Sequence, residues 1–187
     1  MLLTMEELRP LVKERLSEKR YQHTLAVTKL ALELAEHYEV SKEEAMNAAM
    51  LHDITKEDNI AWQLQMIAKS DIISVNVLDK SQNIYHSLTA FLYAKDILKV
   101  EYQDVLNAIR YHTTGRKDMS MLEKIIFTAD TVSYDRTYEE ARKLRELSFH
   151  NINDCMLEIT RFIITDLMKK SAIIDIDTIS CYNSLLN

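Results

Sequence analysis

The chain has 187 residues, 47% apolar and 28% charged, enough for one ordinary domain with a core of its own. A single glycine, Gly115, and a single proline, Pro10, exclude glycine-rich phosphate loops, dinucleotide-binding turns and hairpin-rich β folds, all of which need turn residues without a Cβ. With 23 basic against 29 acidic residues the net charge is −6, the wrong sign for a nucleic-acid partner.

What remains is an all-α chain whose corners are made by Asn, Asp, Ser and Thr. Thr4-x-x-Glu7 is a capping box, in which hydroxyl and carboxylate each satisfy an orphan backbone N–H. Helix 1 is expected there, with a kink or a later true start because Pro10 lies too far inside for a first-turn proline. Helix 2 is expected from Ser17 to His37, where His23, Val27, Leu30 and Leu34 keep one face. A second capping box, Ser41-x-x-Glu44, opens helix 3, which carries Ala45, Ala48, Ala49 and His52 and ends near Asp53.

A helix is expected over about 60–69, then a loop over 70–83 and helices over about 84–97 and 101–112. Gly115 suits a left-handed stop after His112. A third box, Ser120-x-x-Glu123, opens a helix to about Ser133. Helices over about 138–148 and 152–170 and a last turn near 178–186 complete the chain. The run Glu139–Glu146 reads as a solvated face with local ion pairs. No repeat or linker divides the chain, so residues 1–187 are expected to form one domain.

Cys155 and Cys181 show no C-x-x-C spacing and are expected as reduced thiols. The first residues turn acidic quickly, unlike a signal peptide, and no apolar run approaches a membrane span. A cytoplasmic location without a membrane partner is the expectation.

The chemistry lies in the histidines. His23, His52, His86 and His112 fall on four different expected helices, each on or beside an apolar stripe. An isolated histidine in such a place is more often a satisfied core residue than a ligand. Four of them, with Asp53 beside His52 and Asp130 inside the apolar helix Ile125–Val132, favour a metal. A lone ionised carboxylate there would cost several kcal/mol, and a cation accounts for it. Neighbouring helix residues point about 100° apart. His52 and Asp53 can thus face one ion only at a frayed helix end, or serve two ions with Asp53 bridging. Imidazole plus carboxylate suits Fe, Mn, Co or Zn. His37, at a helix end, and His150, in an expected loop, read as structural. The signatures Glu-x-x-His, His-Glu-x-x-His and Gly-x-Ser-x-Gly are all absent.

These residues stand in five stretches: Arg20-Tyr-Gln-His-Thr-Leu-Ala-Val27, Ala49-Met-Leu-His-Asp-Ile-Thr-Lys56, His86-Ser-Leu-Thr-Ala90, Ile109-Arg-Tyr-His-Thr-Thr-Gly-Arg116 and Glu123-Lys-Ile-Ile-Phe-Thr-Ala-Asp130. Together they resemble the HD superfamily of metal-dependent phosphohydrolases, and most closely its bacterial symmetrical diadenosine-tetraphosphate hydrolases. The motif core covers about residues 20–136, with the helices of 138–187 packing on it.

The resemblance implies an HD-type helical bundle, an iron centre of one or two ions, and cleavage of diadenosine tetraphosphate to two ADP by a homodimer. It assigns His23, His52, Asp53 and Asp130 to the metal, with His86 and His112 on a second ion or on phosphate. Asp53, Lys56 and Asp130 are then catalytic. Lys56, Thr113, Arg116, Arg136 and the stretch Ile174, Asp175, Ile176 would contact the nucleotide. Two departures stand out. The family's acidic residue and proline before Arg136 are replaced in Ser133-Tyr-Asp-Arg136, and its C-terminal His-Pro pair is missing from Ile174-Asp-Ile-Asp-Thr178. The rivals are another HD hydrolase acting on nucleotides (a nucleotidase or a deoxynucleoside triphosphate hydrolase) and a non-catalytic helical regulatory module.

Overall fold

A computed structural model describes residues 1–70 and 81–186. Ten α-helices follow one another among the described residues: α1 Met5–Arg15, α2 Glu18–His37, α3 Lys42–Leu51, α4 Ile60–Ala68, α5 Tyr85–Leu92, α6 Gln103–Tyr111, α7 Met121–Val132, α8 Glu139–His150, α9 Ile152–Lys169 and α10 Ile176–Ser184. There is no strand among the described residues. A 3-10 turn, Gln82–Ile84, leads into α5, and a π-helical turn, Tyr93–Ile97, leads out of it. Most of the loop expected over 70–83 lies outside the described residues.

Side-chain caps start most of these helices. Both halves of the capping box form at Thr4 and at Ser120. At Ser41 only the hydroxyl half is made, accepting from the Glu44 N–H. α1 begins at Met5 and runs through Pro10, so no later start is needed. Pro10 and Glu6 face solvent, so the Glu6 carbonyl that proline leaves without a donor stands where water can reach it.

The helix ends bring a correction. Gly115, at φ 64°, closes α6 as expected, its N–H bonding the Tyr111 carbonyl at 2.8 Å. The other left-handed residues are Glu39, Lys99, Asp118 and Ser171, so Glu and Lys share corners expected of Asn, Asp, Ser and Thr. Glu39 and Ser171 sit in Schellman turns: Val40 N bonds Ala35 O at 2.8 Å, and Ala172 N bonds Leu167 O at 2.9 Å. His150 is also corrected, since it is the last residue of α8 rather than part of a loop.

The core forms where α2, α3, α6 and α7 pack around one another, with α5 laid on α6 and α4 on α5. The expected stripe of α2 points inward: Val27, Leu30 and Leu34 are fully buried. Each large aliphatic side chain buried in this way is worth about 1.5–3 kcal/mol. Ala45, Ala48 and Ala49 of α3, Ala31 and Ala35 of α2 and Ala108 of α6 are also fully buried, and their short side chains let the axes approach closely. Asn47 ties the N-terminal segment to α3, exchanging hydrogen bonds with both backbone groups of Leu3 at 2.9 Å. α8, α9 and α10 pack on one another in sequence, and α9 lies against α7. No described helix is long and apolar enough to cross a membrane.

This arrangement positions the histidines. His23 lies in the second turn of α2, while His52 and His112 are the residues that close α3 and α6. Asp130 lies in the last turn of α7, and His86 in the first turn of α5. Four packed helices, α2, α3, α6 and α7, thus bring one candidate ligand each to one end of the bundle.

Candidate metal centre

His52 fixes the geometry. Its Nδ1 lies 2.6 Å from the Ala49 carbonyl and can only donate there. In the neutral ring Nε2 is then a bare lone pair. It faces Asp53 Oδ2 at 3.5 Å and Asp130 Oδ1 at 3.6 Å, two further acceptors. His23 repeats the pattern, with Nδ1 at 2.8 Å from Asp135 Oδ2 and Nε2 at 2.9 Å from Asp130 Oδ1. His112 donates from Nδ1 to the Ile109 carbonyl at 2.8 Å, which leaves its Nε2 free as well.

Lone pairs converging on lone pairs repel unless a cation stands among them. Ligands about 2.0–2.2 Å from one ion lie roughly 3 Å apart, the spacing seen here. Among the described residues two triads keep their donor atoms within 4.8 Å of one another: His23, His52 and Asp130, and His52, Asp53 and His112. His52 Nε2 and Asp53 Oδ1 are fully buried without a hydrogen-bond partner. A metal ion would complete both atoms, so the donor set fits the group the sequence implied.

The charges agree. Burial works against charge on His52, yet Asp53 and Asp130 carry its pKa up to about 10. Burial acts to raise Asp53 and Asp130, but the surrounding imidazoles hold both well below the usual carboxylate range.

Asp53 splits its oxygens between two halves of the site. Oδ2 faces His52 and accepts from Arg20 Nη1 at 3.0 Å. Oδ1 faces His86 Nε2 at 3.2 Å, His112 Nε2 at 3.5 Å and Lys56 Nζ at 3.7 Å. His86 Nε2 and His112 Nε2 are 3.1 Å apart, and Lys56 Nζ lies 2.8 Å from His86 Nε2. Burial, with the nearby Lys56, pushes the His86 pKa down to about 4 against the opposing pull of Asp53. Thr113 Oγ1 joins them, 3.1 Å from His112 Nε2.

The turn carrying Asp53 and Lys56 is pinned from several sides. Arg15 donates to the Ile54 carbonyl at 3.2 Å and pairs with Asp58 at 2.6 Å. Ser17 gives two hydrogen bonds to Glu57. Thr55 Oγ1 donates to the His86 carbonyl at 3.0 Å and so ties this turn to α5.

The structure therefore gathers His23, His52, Asp53, Lys56, His86, His112, Thr113 and Asp130. Arg136 lines an adjoining cleft of about 330 Å³ together with Arg20, His23 and Asp135. Arg116 stands elsewhere, in a bidentate pair with the fully buried Glu123 at 2.6 and 2.8 Å. Asp175 caps α10, accepting from the Asp177 N–H at 2.9 Å, and Ile174 and Ile176 flank it; these three enter none of the contacts above. Two contributors were missed in the sequence. Arg20 lies three residues before His23 on the same helix face and could have been found by that spacing. Asp135 follows the end of α7, where no periodicity points to it.

The chain belongs to the HD domain family, whose pattern matches residues 20–135. Within it, similar relatives carry the name symmetrical bis(5'-nucleosyl)-tetraphosphatase. That of Halalkalibacterium halodurans is 35% identical over 94% of this chain and 94% of its own length. That of Bacillus subtilis is 32% identical over 99% of both. A Clostridium acetobutylicum crystal structure, described as a predicted HD superfamily hydrolase involved in NAD metabolism, superposes with a TM-score of 0.93. It is 29% identical and covers 100% of this chain and 98% of its own.

Proposed function

We propose that the chain is a metal-dependent phosphohydrolase that cuts dinucleoside tetraphosphates symmetrically, converting diadenosine tetraphosphate to two ADP. The observation that carries the reading is the buried, unpartnered pair His52 Nε2 and Asp53 Oδ1 inside a convergent His/Asp cluster. The names of the full-length relatives supply the substrate class.

His23, His52, Asp53 and Asp130 would hold the first ion, with His86 and His112 on a second ion or on phosphate. Iron is the ion this reading takes, with Mn, Co or Zn as substitutes. A bound ion would supply Lewis acidity at the scissile phosphate and would lower the pKa of the attacking water. The chain's own residues do the rest. Water adds to an inner phosphorus, the bond to the bridging oxygen breaks, and ADP leaves with that oxygen. Lys56 and Thr113 face the phosphoryl oxygens, and Arg20 and Arg136 draw the polyphosphate into the cleft. A chain of net charge −6 needs such a local cluster of cations to receive a polyanion. The same reading makes residues 1–187 one HD unit, working as a cytoplasmic homodimer on a small-molecule nucleotide without nucleic-acid or membrane partners.

The test is incubation with a panel of dinucleoside polyphosphates, with iron or manganese, followed by chromatography. Two ADP from diadenosine tetraphosphate supports the reading. ATP plus AMP, or turnover of nucleoside monophosphates alone, contradicts it.

A further inference from the structure

The Glu139–Glu146 run was expected to be a solvated face, yet one of its charged members turns inward. Arg145, on α8, reaches across to the end of α7 and donates to three backbone carbonyls. Nε meets Val132 O at 2.6 Å, and Nη2 meets Ser133 O at 2.7 Å and Arg136 O at 3.0 Å. Its guanidinium carbon also lies 4.7 Å from the ring centre of Tyr134. That ring has Lys29 Nζ 4.6 Å from its centre, and its hydroxyl donates to Glu33 on α2.

The segment so gripped, residues 132–136, carries two groups of the site. Asp135 accepts from Ser133 Oγ at 2.6 Å through Oδ1 and meets His23 Nδ1 at 2.8 Å through Oδ2. A proton on His23 Nδ1, held by Asp135, turns the Nε2 lone pair toward Asp130 and the centre. The next residue, Arg136, lines the cleft. Asp130 lies one half-turn upstream on the same helix end.

We propose that Arg145 is a positioning residue of the metal centre: by closing the end of α7 it sets Asp135 against His23 and holds Arg136 at the cleft. The inference rests on the metal reading above. It also gives the cation a reason to be arginine. Three carbonyls on one bent segment match a planar fork of donors, which a lysine ammonium cannot reproduce. A positive charge at a helix C-terminus is favourable in itself, but that effect alone would be met by lysine.

The experiment compares the full chain with Arg145→Lys, Asp135→Asn, the double variant, and Arg142→Lys as a control on the exposed side of α8. Metal affinity is read by chelator competition without substrate, circular dichroism reports the fold, and kcat and KM are measured at saturating metal. Asp135→Asn should lose about 10–100-fold in metal affinity. Arg145→Lys should lose about tenfold and raise KM more than it lowers kcat, with helix content kept. The double variant should lose less than the two single losses combined, because one residue acts through the other.

Arg145→Lys matching Arg142→Lys in both affinity and KM overturns the inference, as does strict additivity. Should Arg145→Lys fail to fold, Asp135→Asn decides: an affinity equal to the parent's overturns it. A parent chain that binds no metal overturns the metal reading as well, whereas equal affinities in a metal-binding parent overturn this inference alone.

Discussion

His52 Nε2 and Asp53 Oδ2 lie 3.5 Å apart although the two residues are neighbours in the chain. Inside a helix their side chains would diverge by about 100°. They converge because α3 ends at Leu51 and leaves the pair in the turn that follows. That turn lets one carboxylate offer Oδ2 to the His52 side and Oδ1 to the His86 and His112 side.

Asp53→Ala is therefore expected to remove both metal binding and turnover from a chain that still folds. Elemental analysis, circular dichroism and an activity assay check it together. A folded variant with full activity would refute the assignment of Asp53.

Lys56→Ala should separate binding from metal loading. Its ammonium lies 2.8 Å from His86 Nε2 and 3.7 Å from Asp53 Oδ1, beside the donor set and unable to join it, since an ammonium has no lone pair. The variant should keep its metal content and raise KM about tenfold, the loss of one charge-assisted contact. Steady-state kinetics with parallel metal analysis check this, and unchanged kinetics count against the role.

If the cluster holds an ion as proposed, metal removal should destabilise the fold, because an ion held by the folded cluster has no such site in the unfolded chain. At 100 times its Kd a ligand adds about 2.7 kcal/mol. For a chain of this size that is a fall of roughly 5–10 °C in Tm on chelation. Thermal unfolding before and after chelation, with re-addition of metal, measures it.

Gly115→Ala and Ser171→Gly should have opposite signs. A Cβ on Gly115 would meet Cys181 Sγ at 2.6 Å, at a φ of 64°. Left-handed strain and overpacking together cost about 2–4 kcal/mol. Ser171, left-handed at φ 50° and exposed, loses strain as glycine and should gain about 0.5–1 kcal/mol. Urea unfolding midpoints read both.

The buried thiols give a pH dependence. Burial pushes Cys155 up to about 12 and Cys181 up to about 11. Their unfolded values lie near about 8.5. Below that pH both states are protonated and nothing changes. Above it the unfolded chain loses its thiol protons first, so stability falls as pH rises. The loss of stability between pH 8 and pH 10, read by urea unfolding, should shrink in Cys155→Ala. Iodoacetamide at pH 8 should leave the native thiols unmodified.

Much of this was legible in the sequence because local chemistry decided it. Thr4 and Ser120 announced their helices by reciprocal caps, and the stripe from His23 to Leu34 declared the buried face of α2. The candidate metal ligands stood out because ionisable groups on apolar faces need a partner. Features set by tertiary contact were not legible. Arg145 sits among surface charges of α8 and gives no hint that it leaves them for α7 carbonyls. Arg116 follows the His112 motif in sequence, but the buried Glu123 takes its guanidinium. Glu39 and Lys99 became left-handed caps because a chain with one glycine must use what stands at each helix end.

A transition ion that draws these imidazoles and carboxylates together would be visible in diffraction. Anomalous scattering at the iron edge, from crystals of metal-replete protein grown without oxygen, tests for it directly. A strong peak is expected about 2.0–2.3 Å from His23 Nε2, His52 Nε2 and the carboxylates of Asp53 and Asp130. An absent peak, with those side chains joined by ordinary hydrogen bonds through added protons, would contradict the metal reading.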